Sequence, residues 1–141
     1  MTASRVLVVD DNRVVAQTVA TLVRLLGHYC TCAYDGASAL ALIAADYKPD
    51  AVLLDLRMPD MDGFAVARAL RQAGCQAKLV AISGFGESVF EEKPQDAGFD
   101  AFLTKPATAE QIAEILGDRA GRLKASAPAE FPHARRFAKS A

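Results

Sequence analysis

At 141 residues, with 52% hydrophobic and 23% charged residues and no Trp, the chain has the size and composition of one globular domain and leaves no room for a second. No apolar run approaches the ~20 residues of a membrane-spanning helix, and residues 1–5 lead into a strand without a signal-peptide pattern, so the expectation is a cytoplasmic protein with no membrane partner. The net charge of −1 hides two unlike parts: residues 1–116 carry ten Lys/Arg against fifteen Asp/Glu, and residues 117–141 carry six against two.

In chain order, Arg5-Val6-Leu7-Val8-Val9 is a β-branched run without alternation, as in a strand buried on both faces, and it ends in Asp10-Asp11-Asn12. Val15, Val19, Leu22, Val23 and Leu26 then fall at helical spacing over 13–26, with Asn12 as N-cap and Gly27 as the stop. Residues 29–33 read as a second strand, Asp35-Gly36 as a turn, and 37–45 as an Ala/Leu-rich helix closed by Lys48-Pro49. Cys30, Cys32 and Cys75 lack metal-ligand or redox spacing and read as reduced thiols. His28 and His133 lack any partner signature and receive no role.

A third strand, 51–54, delivers Asp55 into a loop punctuated by Pro59 and Gly63, and a third helix follows over 63–72. The fourth strand, 78–82, ends at Ser83, and the fifth, 101–103, ends in Thr104-Lys105-Pro106. A fourth helix is expected over 87–97, but Pro94 lies inside it and predicts a short, kinked or shifted element. Thr108-x-x-Gln111 has the form of a capping box and opens a fifth helix that buries Ile112, Ile115 and Leu116. Five β-α units imply an α/β fold with a doubly wound parallel sheet, helices on both faces and right-handed crossovers. The chain divides into a domain over 1–123 and a flexible basic tail over 124–141. That tail is solvated by default, with covering of the acidic site and nucleic-acid binding as the alternatives.

Four of the five strands end in a residue of defined chemistry: Asp10 and Asp11, Asp55, Ser83 and Lys105. In open parallel sheets these ends share one edge, where ligands bind. Two carboxylates ~5 Å apart repel by roughly 3 kcal/mol at an effective dielectric of about 20, so the cluster requires a cation. Oxygen donors without His or Cys favour Mg²⁺ or Mn²⁺. With Lys105 and the Ser83 hydroxyl, such an ion would equip Asp55 to receive a phosphoryl group.

The segments Val-Val-Asp-Asp-Asn (8–12), Leu-Leu-Asp-Leu-Arg-Met-Pro-Asp-Met-Asp-Gly (53–63), Ile-Ser-Gly (82–84) and Ala-Gly-Phe-Asp-Ala-Phe-Leu-Thr-Lys-Pro (97–106) occur in order and at spacings that resemble the receiver domain of two-component response regulators. The resemblance spans about Ser4 to Leu116. It implies a flavodoxin-like (βα)5 sheet of order 2-1-3-4-5. It also implies that Asp55 accepts a phosphoryl group from a histidine kinase or phosphotransfer protein, with Mg²⁺ held by Asp10, Asp11, Asp55 and the backbone carbonyl of Arg57. By the same resemblance Lys105 and Ser83 assist the chemistry, Ser83 and Phe102 form a switch acting on the face of helix 4, strand 5 and helix 5, and the Lys105-Pro106 bond is cis. Pro94 disturbs that face, and a Phe at position 102 is otherwise plain core.

The residues include no DNA-binding domain, kinase core or output enzyme. The expected role is therefore a signalling switch with autocatalytic phosphorylation and dephosphorylation and no substrate turnover. Its downstream protein target is unknown, and both a free-standing regulator and part of a hybrid kinase fit. A phosphorylation-independent pseudo-receiver and an aspartate-nucleophile phosphatase of the haloacid dehalogenase type are the alternatives. The second is disfavoured because Asp10-Asp11-Asn12 does not supply its Asp-x-Asp on the first strand.

Overall fold

The computed structural model describes residues 3–84 and 94–117. Five parallel strands, β1 (Arg5–Val9), β2 (Tyr29–Ala33), β3 (Ala51–Asp55), β4 (Lys78–Ser83) and β5 (Ala101–Thr104), form one sheet of order β2-β1-β3-β4-β5. Between and after them lie α1 (Arg13–Leu25), α2 (Gly36–Ala44), α3 (Gly63–Gln72) and α4 (Ala109–Gly117). This is the doubly wound topology expected from the sequence. The reversal of strand order beside β1 opens a crevice at the C-terminal edge of the sheet.

The period of two along each strand sorts the core into two layers. Leu7, Val9, Val52, Leu54, Leu79, Ala81 and Phe102 pack with α2 and α3, where Phe64 and Phe99 meet edge to face at 6.0 Å between ring centres. Val6, Val8, Leu53, Val80, Ile82 and Leu103 pack with α1 and α4. Central β3 is buried throughout, which is why its sequence shows no alternation.

Helix ends follow their side chains. The Asn12 side chain accepts the Val15 N–H, and Gly27 takes the positive φ of +96° that ends α1. The Asp35 carboxylate accepts the Ser38 N–H at 2.6 Å, so the expected turn at Asp35-Gly36 is the cap and first residue of α2, which starts one residue earlier than expected. Thr108 and Gln111 exchange the two hydrogen bonds of the expected capping box, at 3.0 and 3.1 Å. Of the helix expected over 87–97, residues 87–93 lie outside the described residues. Pro94–Ala97 is a single 3-10 turn, a form that a proline can open because its missing N–H would have no partner there.

Several side chains tie the opposite, N-terminal edge together. Arg71 at the end of α3 donates to the carbonyls of Cys75, Ala77 and Gly98 and to Asp100 Oδ2. Asp100 Oδ2 also accepts the Leu79 N–H, Asp50 accepts the Arg5 N–H, and the Lys78 ammonium donates to the Ile115 carbonyl. His28 Nδ1 accepts the N–H of buried Ser4, which accounts for that histidine structurally.

Candidate functional site

The period that sorts the core also assembles the site. Asp10 continues in step with Val6 and Val8, Asp55 with Leu53, and Lys105 with Leu103, so three positions distant in sequence reach the same layer at the same edge. Asp10 and Asp55 are each 4% exposed, Asp11 is exposed, and oxygens of the three lie within 4.8 Å of one another. The Lys105 ammonium sits 3.0 Å from Asp10 Oδ2 and 3.3 Å from Asp55 Oδ1. The Asn12 N–H donates to Asp10 Oδ1 at 2.9 Å and the Arg57 N–H to Asp55 Oδ1 at 3.3 Å.

Burial, followed by repulsion from Asp10, pushes the Asp55 carboxyl up from 3.8 to about 6, against the pull of Lys105 and the Arg57 N–H. For Lys105, burial opposes the charge, but its bonds to Asp10 and Asp55 outweigh that and raise its pKa. Among the described residues, three carboxylates against one ammonium leave negative charge in excess. These donors are hard oxygens with no imidazole or thiolate among them, and one of the three is open to water, which fits a hydrated Mg²⁺ or Mn²⁺.

Ser83 closes β4 at 1% exposure, and its carbonyl accepts the Lys105 N–H at 2.6 Å. Ser83 pairs with Thr104 and Ala81 with Phe102, so Phe102 stands one pleat repeat before Ser83 in the neighbouring strand. The Phe102 ring is 1% exposed and belongs to the layer beneath α2 and α3. The Lys105-Pro106 peptide is cis.

Gly63 holds the loop after Asp55 in place. A Cβ there would lie 2.5 Å from the Asp55 carbonyl oxygen and 2.7 Å from the Leu56 Cα, so only glycine lets α3 start this close to β3. In the sequence Gly63 reads as a turn signal, and its close approach to the backbone was not foreseen. An apolar cavity of about 190 Å³, also unforeseen, runs from the acidic cluster beneath α1, between Val15, Thr18 and Leu22 of the helix and Leu53 and Ile82 of the sheet. Its trace in the sequence is Val14-Val15 in the first turn of α1, with Val14 75% exposed.

Residues 6–117 match the family model described as the response regulator receiver domain. The chain belongs to the response regulator receiver family. The receiver is 40% identical over 109 residues to the response regulator MprA of Mycolicibacterium vanbaalenii, a match covering 77% of this chain and 46% of that protein. It is 40% identical over 119 residues to hybrid signal transduction histidine kinase L of Dictyostelium discoideum, covering 79% of this chain and 7% of the kinase. The receiver thus spans about half the length of the response regulators it matches and a small part of the hybrid kinase.

Among solved structures, the CheY-like receiver domain from Methylobacillus flagellatus superposes with a TM-score of 0.75 at 30% identity, covering 84% of this chain and 99% of that one. The structure titled FixJ-N gives 0.75 at 28% identity, covering 85% and 94%. The family and the flavodoxin-like strand order expected from the motifs therefore both hold for this receiver. Among the described residues no helix is long and apolar enough to cross a membrane.

Proposed function

We propose that this receiver takes a phosphoryl group onto Asp55 from the phosphohistidine of a histidine kinase or phosphotransfer protein and signals through the resulting change. The observation that carries the reading is the environment of Asp55: a buried carboxylate at a strand end, 3.3 Å from a fixed ammonium and grouped with two more carboxylates. A carboxylate raised to about 6 is still mainly ionised at neutral pH and is a stronger base than a free one. An Asp55 oxygen forms the new O–P bond as the P–N bond to the donor imidazole breaks, and the leaving imidazole takes its proton from water.

Asp10, Asp11, Asp55 and the Arg57 carbonyl are the groups that would hold Mg²⁺. The bound ion supplies the positive charge that offsets the crowded carboxylates and the incoming phosphoryl oxygens. Lys105 orients the Asp55 carboxylate beforehand and pairs with a phosphoryl oxygen afterwards. The Ser83 hydroxyl donates to another. The acceptor is regenerated by hydrolysis or by onward transfer, so the protein turns over no outside substrate, and its place of work is the cytoplasm.

The output follows from the register of β4 and β5. As Ser83 moves toward the phosphoryl group, the space beside Phe102 changes, and the equilibrium of the face built from residues 94–104 and α4 shifts toward the form that a protein target or a relay partner binds. Phe102 is already buried in the structure, so phosphorylation retains an inward ring in this reading and does not draw in an outward one.

Intact mass after incubation with Mg²⁺ and a small-molecule phosphodonor tests the chemistry. The native chain gains one phosphoryl group and Asp55→Asn gains none. Equal gain by both, or gain by neither with metal bound and the fold intact, removes the reading.

A further inference from the structure

We propose that the apolar cavity under α1 is a binding site for a small ring-bearing amine, its ring held between the helix and the sheet and its ammonium on Asp55. The class of ligand follows from the two ends of the cavity. Its volume of about 190 Å³ suits a single ring, since an apolar cavity of ~150 Å³ accepts benzene. On the sheet side it is lined by the buried Leu53 and Ile82, and on the helix side by Val15 and Leu22. The one hydroxyl among the lining residues, on Thr18, already donates to the Val14 carbonyl at 2.8 Å. That leaves this end without a free side-chain donor, and a hydrocarbon ring is the group that matches it.

The other end carries charge. Asp10, Asp55 and Lys105 line it, two carboxylates against one ammonium, and the exposed Asp11 belongs to the same carboxylate group. That balance repels an organic anion and attracts a cation. Asp55 supplies the acceptor. It is 4% exposed, yet its contacts with the Arg57 N–H and the Lys105 ammonium both fall on Oδ1, and among the described residues Oδ2 accepts no hydrogen bond. A buried carboxylate oxygen without a donor is costly, and an alkylammonium brings N–H donors to it. A neutral ring would fill the same space and leave Oδ2 unmet. The exposed lining residues Val14, Thr18 and Pro106 leave the cavity open to solvent, so a ligand can enter without unwinding α1.

The consequence rests on the proposed role of Asp55. An ammonium on Oδ2 takes the oxygen left open to a phosphoryl group or a metal ion, so the bound amine holds the receiver unmodified.

Methyl NMR of the full chain in EDTA, without phosphodonor, tests the site by itself with benzylamine as the probe. Saturable shifts of the Val15, Leu22, Leu53 and Ile82 methyls are expected, with NOEs from the benzylamine ring and a dissociation constant of about 1 mM or below, as suits so small a ligand. Benzyl alcohol is expected to bind about tenfold more weakly, and Asp55→Asn to erase that preference. No saturation by about 10 mM benzylamine, NOEs to other methyls only, or equal affinity for amine and alcohol overturns the proposal. A preference that survives in Asp55→Asn overturns the assignment to Asp55. Without EDTA, benzylamine at ten times its dissociation constant is expected to weaken Mn²⁺ binding about tenfold in calorimetry, and unchanged Mn²⁺ affinity overturns the placement of the ammonium. Failure of Mn²⁺ to bind the free chain, or of Asp55 to accept a phosphoryl group, with the NOEs as expected, removes the phosphoacceptor reading and leaves the amine site intact.

Discussion

Replacing Asp55 with Asn should make the metal-free protein more stable at neutral pH. The wild-type carboxyl rises from 3.8 to about 6 on folding because it is buried beside Asp10. Such a group contributes stability that is fully present below pH 3.8 and is lost as pH rises through 6, where the folded state must give up a proton that the unfolded state released earlier. The rise is worth ~3 kcal/mol at full value. That figure is already net of the attraction to Lys105, and water and salt at the cleft mouth screen part of it, so the expected gain is about 1.5 kcal/mol at pH 7.

The assay is urea unfolding in EDTA at pH 4 and pH 7. The two proteins are expected to match within experimental error near pH 4 and to separate at pH 7, with Asp55→Asn ahead. Saturating Mg²⁺ should then stabilise the wild type by more than the variant and narrow or invert the difference. A variant that is less stable than wild type at pH 7 in EDTA would refute the electrostatic account, because the buried carboxylate would then be a net stabiliser.

Five further substitutions probe the site and the ties at the opposite edge. Gly63→Ala forces a Cβ onto the Asp55 carbonyl and should cost about 1–3 kcal/mol in urea unfolding, as overpacking does, and should weaken Mg²⁺ binding as the loop shifts. Lys105→Met leaves Asp10 and Asp55 facing each other without a cation; the pKa of Asp55, followed by carboxyl NMR, should rise further. Arg71→Met strips the carbonyls of Gly98, Cys75 and Ala77 of a charged donor and should lower stability by about 2–4 kcal/mol, whereas Asp100→Asn, which keeps an acceptor, should cost less. Thr108→Ala removes one arm of the capping box and should cost about 1 kcal/mol, read as a lower urea midpoint.

The parts legible in the sequence were those governed by local periodicity. Unbroken apolar runs gave β1, β3 and β4, helical spacing gave α1 and α3, and Thr108-x-x-Gln111 gave the start of α4. The strand-end residues Asp10, Asp55 and Lys105 could be assigned to one edge because a parallel sheet puts all its C-termini on the same side. Gly63 was legible as a turn signal but not as a contact, since its neighbour is the Asp55 backbone eight residues earlier in the chain. Arg71 gave no signal either: besides the nearby Cys75 and Ala77 carbonyls, it reaches Gly98 and Asp100, 27 and 29 residues away, and a lone arginine at a helix end looks like ordinary surface. The cavity under α1 depends on how far that helix stands from the sheet, a distance no pattern of residues encodes directly. A carboxylate followed by glycine, as at Asp35-Gly36, serves equally as a turn or a cap until its Ser38 partner is seen.

The ties made by Arg71, Asp100, Lys78 and Asp50 all fall at one edge of the sheet, and the crowded carboxylates all fall at the other. Cohesion and reactivity are thus divided between the two poles of a single sheet, about five residues apart along each strand. In the proposed role, a bound ion or a transferred group would raise or relieve the electrostatic tension at that pole without asking the anchored pole to give way. In the proposed phosphoacceptor role, the surface at one end would change with each transfer while the strands keep their register.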